Sequence, residues 1–346
     1  MRHFRAMQVV PLLRRLIDVE STTGGERAVG ELIEAHLREL AAGTDGQVER
    51  MPVAEGRFNL FASWGEPHVV LSTHLDTVPP FFPSSEDAEH VHGRGACDAK
   101  GSIAAMLGAI ETLLAERRCG FGLLLVVGEE TDSLGAQVAN RNPRGSRYLI
   151  DGEPTDNRLA LGSKGALYLA IEADGRMAHS AYPELGDSAI RKLLAALAGI
   201  DGVALPNDPV MGETTVNVGT IAGGRAPNVV PDRARAEVMI RTVGETETLR
   251  RDLEAAIAEA GASLVTVREV PAVRLGSLPG FATQVVKYTT DIPRLTAWGE
   301  PLLLGPGSIH LAHTPEERVR KSELQEAAEL YAELVRRLLS GETPAR

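Results

Sequence analysis

Three short apolar runs in this chain each end on groups that do chemistry. "VVLST" runs into His74-Leu75-Asp76, "LLLVVG" into Glu129-Glu130, and "YLI" into Asp151-Gly152-Glu153. Unbroken apolar runs of this length are the pattern of strands buried on both faces, as in a parallel sheet covered by helices. In such an open sheet the carboxyl ends of the strands line one crevice, so the three endings are expected to meet. A fourth group, Asp98 in "GRGACDAKG", lies just before a helical pattern over 101–116 and is placed at a helix N-terminus.

The rest of the chain fits that frame. Helical periodicity recurs at 8–19, 26–41 and 322–340, the last opening on Ser322-Glu323-Leu324-Gln325 as a capping box and stopping at Gly341. From about residue 165 the texture changes. "GALYLAIEADG", "TTVNVGTIAGG" and "ARAEVMIRTV" alternate in period two, as half-exposed antiparallel strands do, around an amphipathic helix at 187–200. The expectation is an α/β protein whose first domain is discontinuous, residues 1–164 and 275–346, with a mostly parallel sheet and flanking helices. An α+β domain with an antiparallel sheet, residues 165–274, is inserted into it.

Composition narrows the partners. A net charge of -11 opposes nucleic acid and anionic membrane surfaces. Two cysteines, Cys97 and Cys119, make no disulfide framework, and the N-terminal pattern is broken by Arg14, Arg15 and Asp18, unlike the core of a signal peptide. No run approaches a membrane span, and a cytoplasmic location is expected.

Taken singly, each acid has an ordinary reading: Asp98 as a helix cap, Glu129 and Glu130 as a solvated loop, Glu153 before Pro154 as turn chemistry. Taken together they do not, because four carboxylates within a few ångströms repel or take up protons. Divalent cations remove that cost, and with histidine nitrogens the cluster offers the donors that Zn²⁺ accepts, enough for two ions. The last ligand is expected from "LLLGPGSIHLAHTPEERV", where spacing alone leaves His310 and His313 equally open.

These motifs, in order "VESTTGGE", "STHLDTVP", "GRGACDAKG", "GEETDSLGA", "DGEPT", "GRMAHSAYP", "APNVVPD" and "GPGSIHLAHTPEERV", span nearly the whole chain. Together they resemble the M20 family of co-catalytic metallopeptidases and deacylases. The resemblance implies that Asp98 bridges two Zn²⁺ ions, for which Co²⁺ can substitute, with His74 and Glu153 completing one site and Glu130 and His313 the other. His313 is preferred to His310 because the family's ligand histidine precedes an acid by four residues and a hydrophobe by six, which Glu317 and Val319 match. Asp76 would fix the His74 tautomer, and Glu129 would be the general base toward a metal-bridging water. His179, in the inserted lid and dimerisation domain, would donate to the oxyanion of the partner subunit's site in a homodimer. Asn228 and Arg241 would hold the substrate carboxylate, although Arg241 shares its strand's polar face with Arg235 and Glu237, which suits a solvent ion pair equally. The Asp98-Ala99 peptide is expected to be cis.

The function implied is a zinc amidohydrolase that deacylates a small N-acyl-L-amino acid of the N-acetylornithine or N-acetyl-lysine type. A dipeptidase or carboxypeptidase acting on short peptides is the alternative on the same scaffold. A catalytically silent two-domain binding protein is the alternative from another class, and its signature would be a missing ligand or base.

Overall fold

The computed structural model describes residues 9–345, which divide into two compact units. The first contains the described residues up to Leu161 together with Leu275–Gln284 and the stretch from Thr290 onward; the second contains Gly162–Arg274 and Val285–Thr289. The short return of the chain into the second unit was not anticipated from the sequence, which assigned 285–289 to the first domain. Its cause is hydrogen bonding: the Lys164 amide donates to the Val286 carbonyl, and the Ser163 hydroxyl donates to that of Tyr288 at 2.6 Å.

The first unit is built on a six-stranded sheet in the order Gly46–Ala54, Arg57–Trp64, Phe121–Val126, Val69–His74, Tyr148–Asp151, Glu300–Leu303. The last four run parallel, and they are the buried apolar runs of the sequence. The first two form an antiparallel hairpin on one edge. Its outer strand is half-exposed and mixed in composition, which is why no apolar run announces it.

Helices Val9–Ile17, Arg27–Ala41, Lys100–Ala115 and Lys321–Leu339 supply the main core, with Leu13, Ile33, Leu107 and Leu334 fully buried against sheet residues such as Leu71 and Leu123. In Lys100–Ala115 every residue from Lys100 to Ile110 is buried, so the helix is enclosed by its neighbours and gives a rigid base to the turn before it. On the opposite face Trp298 packs on Phe61 and donates from Nε1 to the Ala139 carbonyl at 3.0 Å. Helix Lys321–Leu339 begins one residue before the expected capping box, so Ser322 lies inside it and caps nothing. Strand Arg318–Arg320 runs straight into the helix, and the Lys321 amide is satisfied by the Glu89 carbonyl at 2.8 Å in place of a side chain.

The second unit has a four-stranded antiparallel sheet, Thr215–Gly223, Arg233–Thr242, Gly165–Asp174, Ser263–Val270 in spatial order. Two helices, Ala189–Ile200 and Glu247–Glu259, cover one face through Leu193, Leu253 and Ile257 against Leu167, Leu169 and Val238. Sequence reasoning found only the first helix. The stripe Leu249, Leu253, Ile257 at four-residue spacing was the available signal for the second. Among the described residues no helix is long and apolar enough to cross a membrane.

Candidate metal centre

The parallel register brings the three strand endings level: His74 is opposite Val126, and Ser72 is opposite both Leu124 and Asp151. His74, Glu129, Glu130 and Glu153 therefore leave the same edge of the sheet. Strand Glu300–Leu303 ends beside Asp151, and Gly305 then passes so close to the Glu153 carbonyl that a Cβ would lie 2.4 Å from its oxygen. Only glycine permits that approach.

Asp98 is the pivot. Its Oδ1 is 3.1 Å from His74 Nε2 and its Oδ2 is 3.2 Å from His313 Nε2. On the first side Glu153 stands 3.8 Å from the same His74 nitrogen. On the second, Glu130 stands 3.0 Å from the same His313 nitrogen. Each oxygen of one carboxylate thus faces a histidine and glutamate pair. His313 is reached through a left-handed backbone conformation (φ 63°). His310, the other candidate by spacing, is an exposed neighbour. The Asp98-Ala99 peptide is cis.

Protonation follows from the crowding. Burial pushes the carboxyls of Glu129, Glu130 and Glu153 above the usual glutamate range. Burial acts on Asp98 in the same sense, but its bonds to His313 and His74 outweigh it and hold the group low. Bonds to Asp98 and Glu130 push His313 up to about 10. Positive charge is thus drawn toward both oxygens of Asp98, and imidazole nitrogens with carboxylate oxygens are a donor set that first-row divalent metals accept. The residues present fit two metal ions sharing Asp98.

Asp76 holds the His74 ring, as the resemblance implies, but with its backbone carbonyl. His74 Nδ1 meets the Asp76 backbone carbonyl at 2.9 Å, while the carboxylate Oδ1 is 3.5 Å away. The buried carboxylate instead accepts the amides of Gly128 at 2.9 Å and of Glu129 and Glu130 at 3.2 Å, with the Thr23 hydroxyl at 2.8 Å. Gly128, at φ 84°, makes the turn that aims three successive amides at one side chain. Asp76 therefore orients the histidine with its main chain and fixes both glutamates with its side chain.

Three further acids act here that sequence reasoning gave no role. Glu317, used only as a spacing marker, is buried; its Oε1 accepts the amides of Gly95, Cys97 and Asp98 at 2.9, 3.2 and 3.2 Å, and its Oε2 pairs with buried Arg94 at 2.5 Å. Asp151, visible in "YLIDGE", is pushed up to about 8 by burial and by the charge of Asp291. Asp291, in "TTDIP" after no apolar run and so without a signal, is pushed up to about 6 by burial, against the lowering effect of a hydrogen bond with Ser133.

The remaining expected residues belong to the second unit. His179 is exposed in an isolated antiparallel bridge to Val229, and its Nδ1 accepts the Ala181 amide at 3.1 Å. Exposed Asn228 lies in the same bridge, its carbonyl accepting the Ser180 amide. The surface ion pairs of strand Arg233–Thr242 are made by Arg235 with Glu172 and Glu237 and by Arg233 with Asp174. Arg241 is half-buried, and its Nη1 is buried without a hydrogen-bond partner.

Comparison with known proteins agrees with this architecture. Residues 70–337 match the model of peptidase family M20/M25/M40. A peptidase M20 domain-containing protein of Schizosaccharomyces pombe is 37% identical, covering 94% of this chain and 84% of its own. A protein of Aspergillus fumigatus named as a probable carboxypeptidase is 37% identical, covering 95% and 87%. Among solved structures, aminopeptidase PepT from Bacillus cereus superimposes with a TM-score of 0.79 at 20% identity, over 95% of this chain and 97% of that one. The chain belongs to the M20 peptidase family. It is an α/β metal-dependent hydrolase acting on amide bonds. The reading as a silent binding protein falls with that assignment.

Two outcomes follow from the supporting acids. Glu317→Ala leaves the Arg94 charge and three amides unpaired in the interior, so it should destabilise the protein by about 3–5 kcal/mol in urea unfolding. Asp291 has its carboxyl raised in the folded state, so its favourable contribution is complete below pH 3.8 and lost as pH rises through about 6. Asp291→Asn does not titrate. In metal-free protein the melting temperature of the variant should therefore gain on that of wild type between pH 4.5 and 7.5, and a gap independent of pH would show that the carboxyl is not held neutral.

Proposed function

We propose that the protein is a zinc carboxypeptidase or dipeptidase that releases an amino acid with a free carboxylate from a short peptide. The hydrolytic chemistry rests on one observation, the division of the two Asp98 oxygens between His74 with Glu153 and His313 with Glu130. Choice of a peptide over an N-acyl amino acid rests on curated relatives named as carboxypeptidases and matched over most of both chains.

On this reading Asp98, His74, Glu153, Glu130 and His313 hold two zinc ions. When bound, these supply Lewis acidity and lower the pKa of the attacking water. Glu129 is the general base. Its amide is fixed by Asp76, and burial raises the basicity of its carboxylate, so in its ionised form it can take a proton from water and hold it until the leaving amine needs it. His179 is the proposed oxyanion donor, contributed across a homodimer. Because its Nδ1 accepts the Ala181 amide, a neutral ring carries its proton on Nε2, which leaves a donor facing outward. Asn228 and Arg241 are the proposed holders of the substrate carboxylate, and the unpartnered Nη1 of Arg241 supports the assignment.

Glu129→Gln should keep its metal yet lose activity by about 10²- to 10⁴-fold, since an amide takes no proton. Asp98→Asn should lose metal, read by elemental analysis on the same preparations. Near-normal turnover in the first, or full metal content in the second, would overturn the assigned roles. For substrate, an N-blocked dipeptide with a free C-terminus should be cleaved and its C-terminal amide should not. Cleavage of N-acetylornithine with no cleavage of peptides would replace the peptidase reading with the deacylase one.

A further inference from the structure

A second group of metal-ligating side chains lies outside the catalytic centre, on the hairpin that leads into the loop carrying Asp98. The strand His90–His92 is the middle strand of three, flanked by Ser85–Glu86 and Arg318–Arg320. Two residues apart on a strand, His90 and His92 project from one face, while Val91 between them is fully buried on the other. Their ring centroids are 5.9 Å apart.

Asp87 joins them from the turn. The amides of Glu89 and His90 each donate to its Oδ1 at 2.8 Å, which fixes the carboxylate relative to the strand. Its Oδ2 is 2.9 Å from His92 Nε2, and its Oδ1 is 3.5 Å from His90 Nδ1. One ligand atom from each residue lies within 4.8 Å of the other two. At Zn–N and Zn–O lengths of about 2.0–2.1 Å, ligand atoms of a tetrahedral site are about 3.3 Å apart, so small rotations of two partly exposed imidazoles close the set.

The surrounding cations have other acceptors. Lys321 donates to the Asp87 carbonyl at 2.6 Å and pairs with Glu86 at 2.8 Å. Arg318 and Arg320 lie opposite His92 and His90 in register, but Arg318 donates to the Glu316 carbonyl, and Arg320 Nε is 3.8 Å from Glu323. The carboxylate itself is held well below the usual range by His92 and by the two amides, so it is ionised at any working pH.

We propose that Asp87, His90 and His92 form a surface site for one first-row divalent cation such as Zn²⁺, bound through two imidazole nitrogens and one carboxylate oxygen with water completing the shell. The site has a job that its position in the chain defines. An ion there clamps the turn at Asp87 to the strand that continues directly into Gly93 and the Asp98 loop. Two imidazoles and a carboxylate with open positions suit zinc or copper better than magnesium or calcium, which favour an all-oxygen shell.

The test is a zinc count on the full chain. Wild type and a His90→Gln/His92→Gln double variant are stripped with chelator, dialysed against micromolar free zinc and analysed for metal. Wild type should hold one ion more per chain than the double variant. The same one-ion difference should persist in an Asp98→Asn background, which separates this site from the catalytic centre. If the double variant shows a lowered melting temperature, Asp87→Asn keeps an oxygen for the two amides and should lose the same ion. Equal zinc content with and without the histidines in both backgrounds, or no zinc-dependent shift of two further imidazole resonances in the Asp98→Asn protein, overturns the proposal.

Discussion

Like charge packed into a small buried volume is the constraint around which the first unit is organised. Two unit charges about 4 Å apart cost about 4 kcal/mol at an effective dielectric of about 20, and Asp98, Glu129, Glu130 and Glu153 converge with Asp151 and Asp291 close by. A fold that ends three parallel strands on acids can persist only if protons or cations offset them. Both answers are written into the protonation of the site. His313 is held charged against Asp98 and Glu130, while burial drives the glutamates toward their neutral forms. Metal binding must displace those protons, which ties affinity at the centre to pH through the same groups that stabilise the metal-free fold.

A second layer of acids makes the first possible, and it works mostly through the backbone. Asp76 gathers the amides of Gly128, Glu129 and Glu130; Glu317 gathers those of Gly95, Cys97 and Asp98. Each of these two turns is thus wrapped around a buried carboxylate from a distant part of the sequence. A carboxylate that accepts two or three amides is both a charge sink and a template, since loss of either oxygen leaves buried donors unpaired. The glutamate loop and the Asp98 loop are held by the same device, and neither depends on a regular helix cap. Helix Lys100–Ala115 accordingly has no side-chain cap at Ala99.

That device explains what the sequence could and could not disclose. His74, Glu129, Glu130 and Glu153 were legible because they follow apolar runs whose parallel register is a strong rule, and the chain folds as that rule requires. Asp98 was legible through its glycine-flanked position before a helix. His313 against His310 was not decidable by spacing, because the choice is made by a left-handed residue in a loop rather than by any periodicity. Glu317 acts on the Asp98 loop from 219 positions away and Asp291 on Asp151 from 140, so nothing local marks them. In the second unit three of the four antiparallel strands were plain from their alternation, and Ser263–Val270 was missed. Helix Glu247–Glu259 was lost because its apolar stripe is only three residues wide amid charge.

The partition between chemistry and specificity follows the same division of labour. His74, Glu129, Glu130 and Glu153 leave one edge of the sheet, where register fixes them, and Asp98 and His313 reach them from loops. The groups assigned to substrate, His179, Asn228 and Arg241, belong to a unit with its own core and its own helix-covered face. Hydrolysis of an amide needs the first set in an almost invariant arrangement, because the positions of Asp98 and the glutamates decide whether two cations are held and whether a proton can move. Selection among amides needs only that a carboxylate or an acyl group find a donor. The unpaired Nη1 of Arg241 is such a donor, and its burial without a partner is a cost that the fold bears. On the proposed assignment, change in that second set would alter which amide is taken while the charge balance around Asp98 stays as it is.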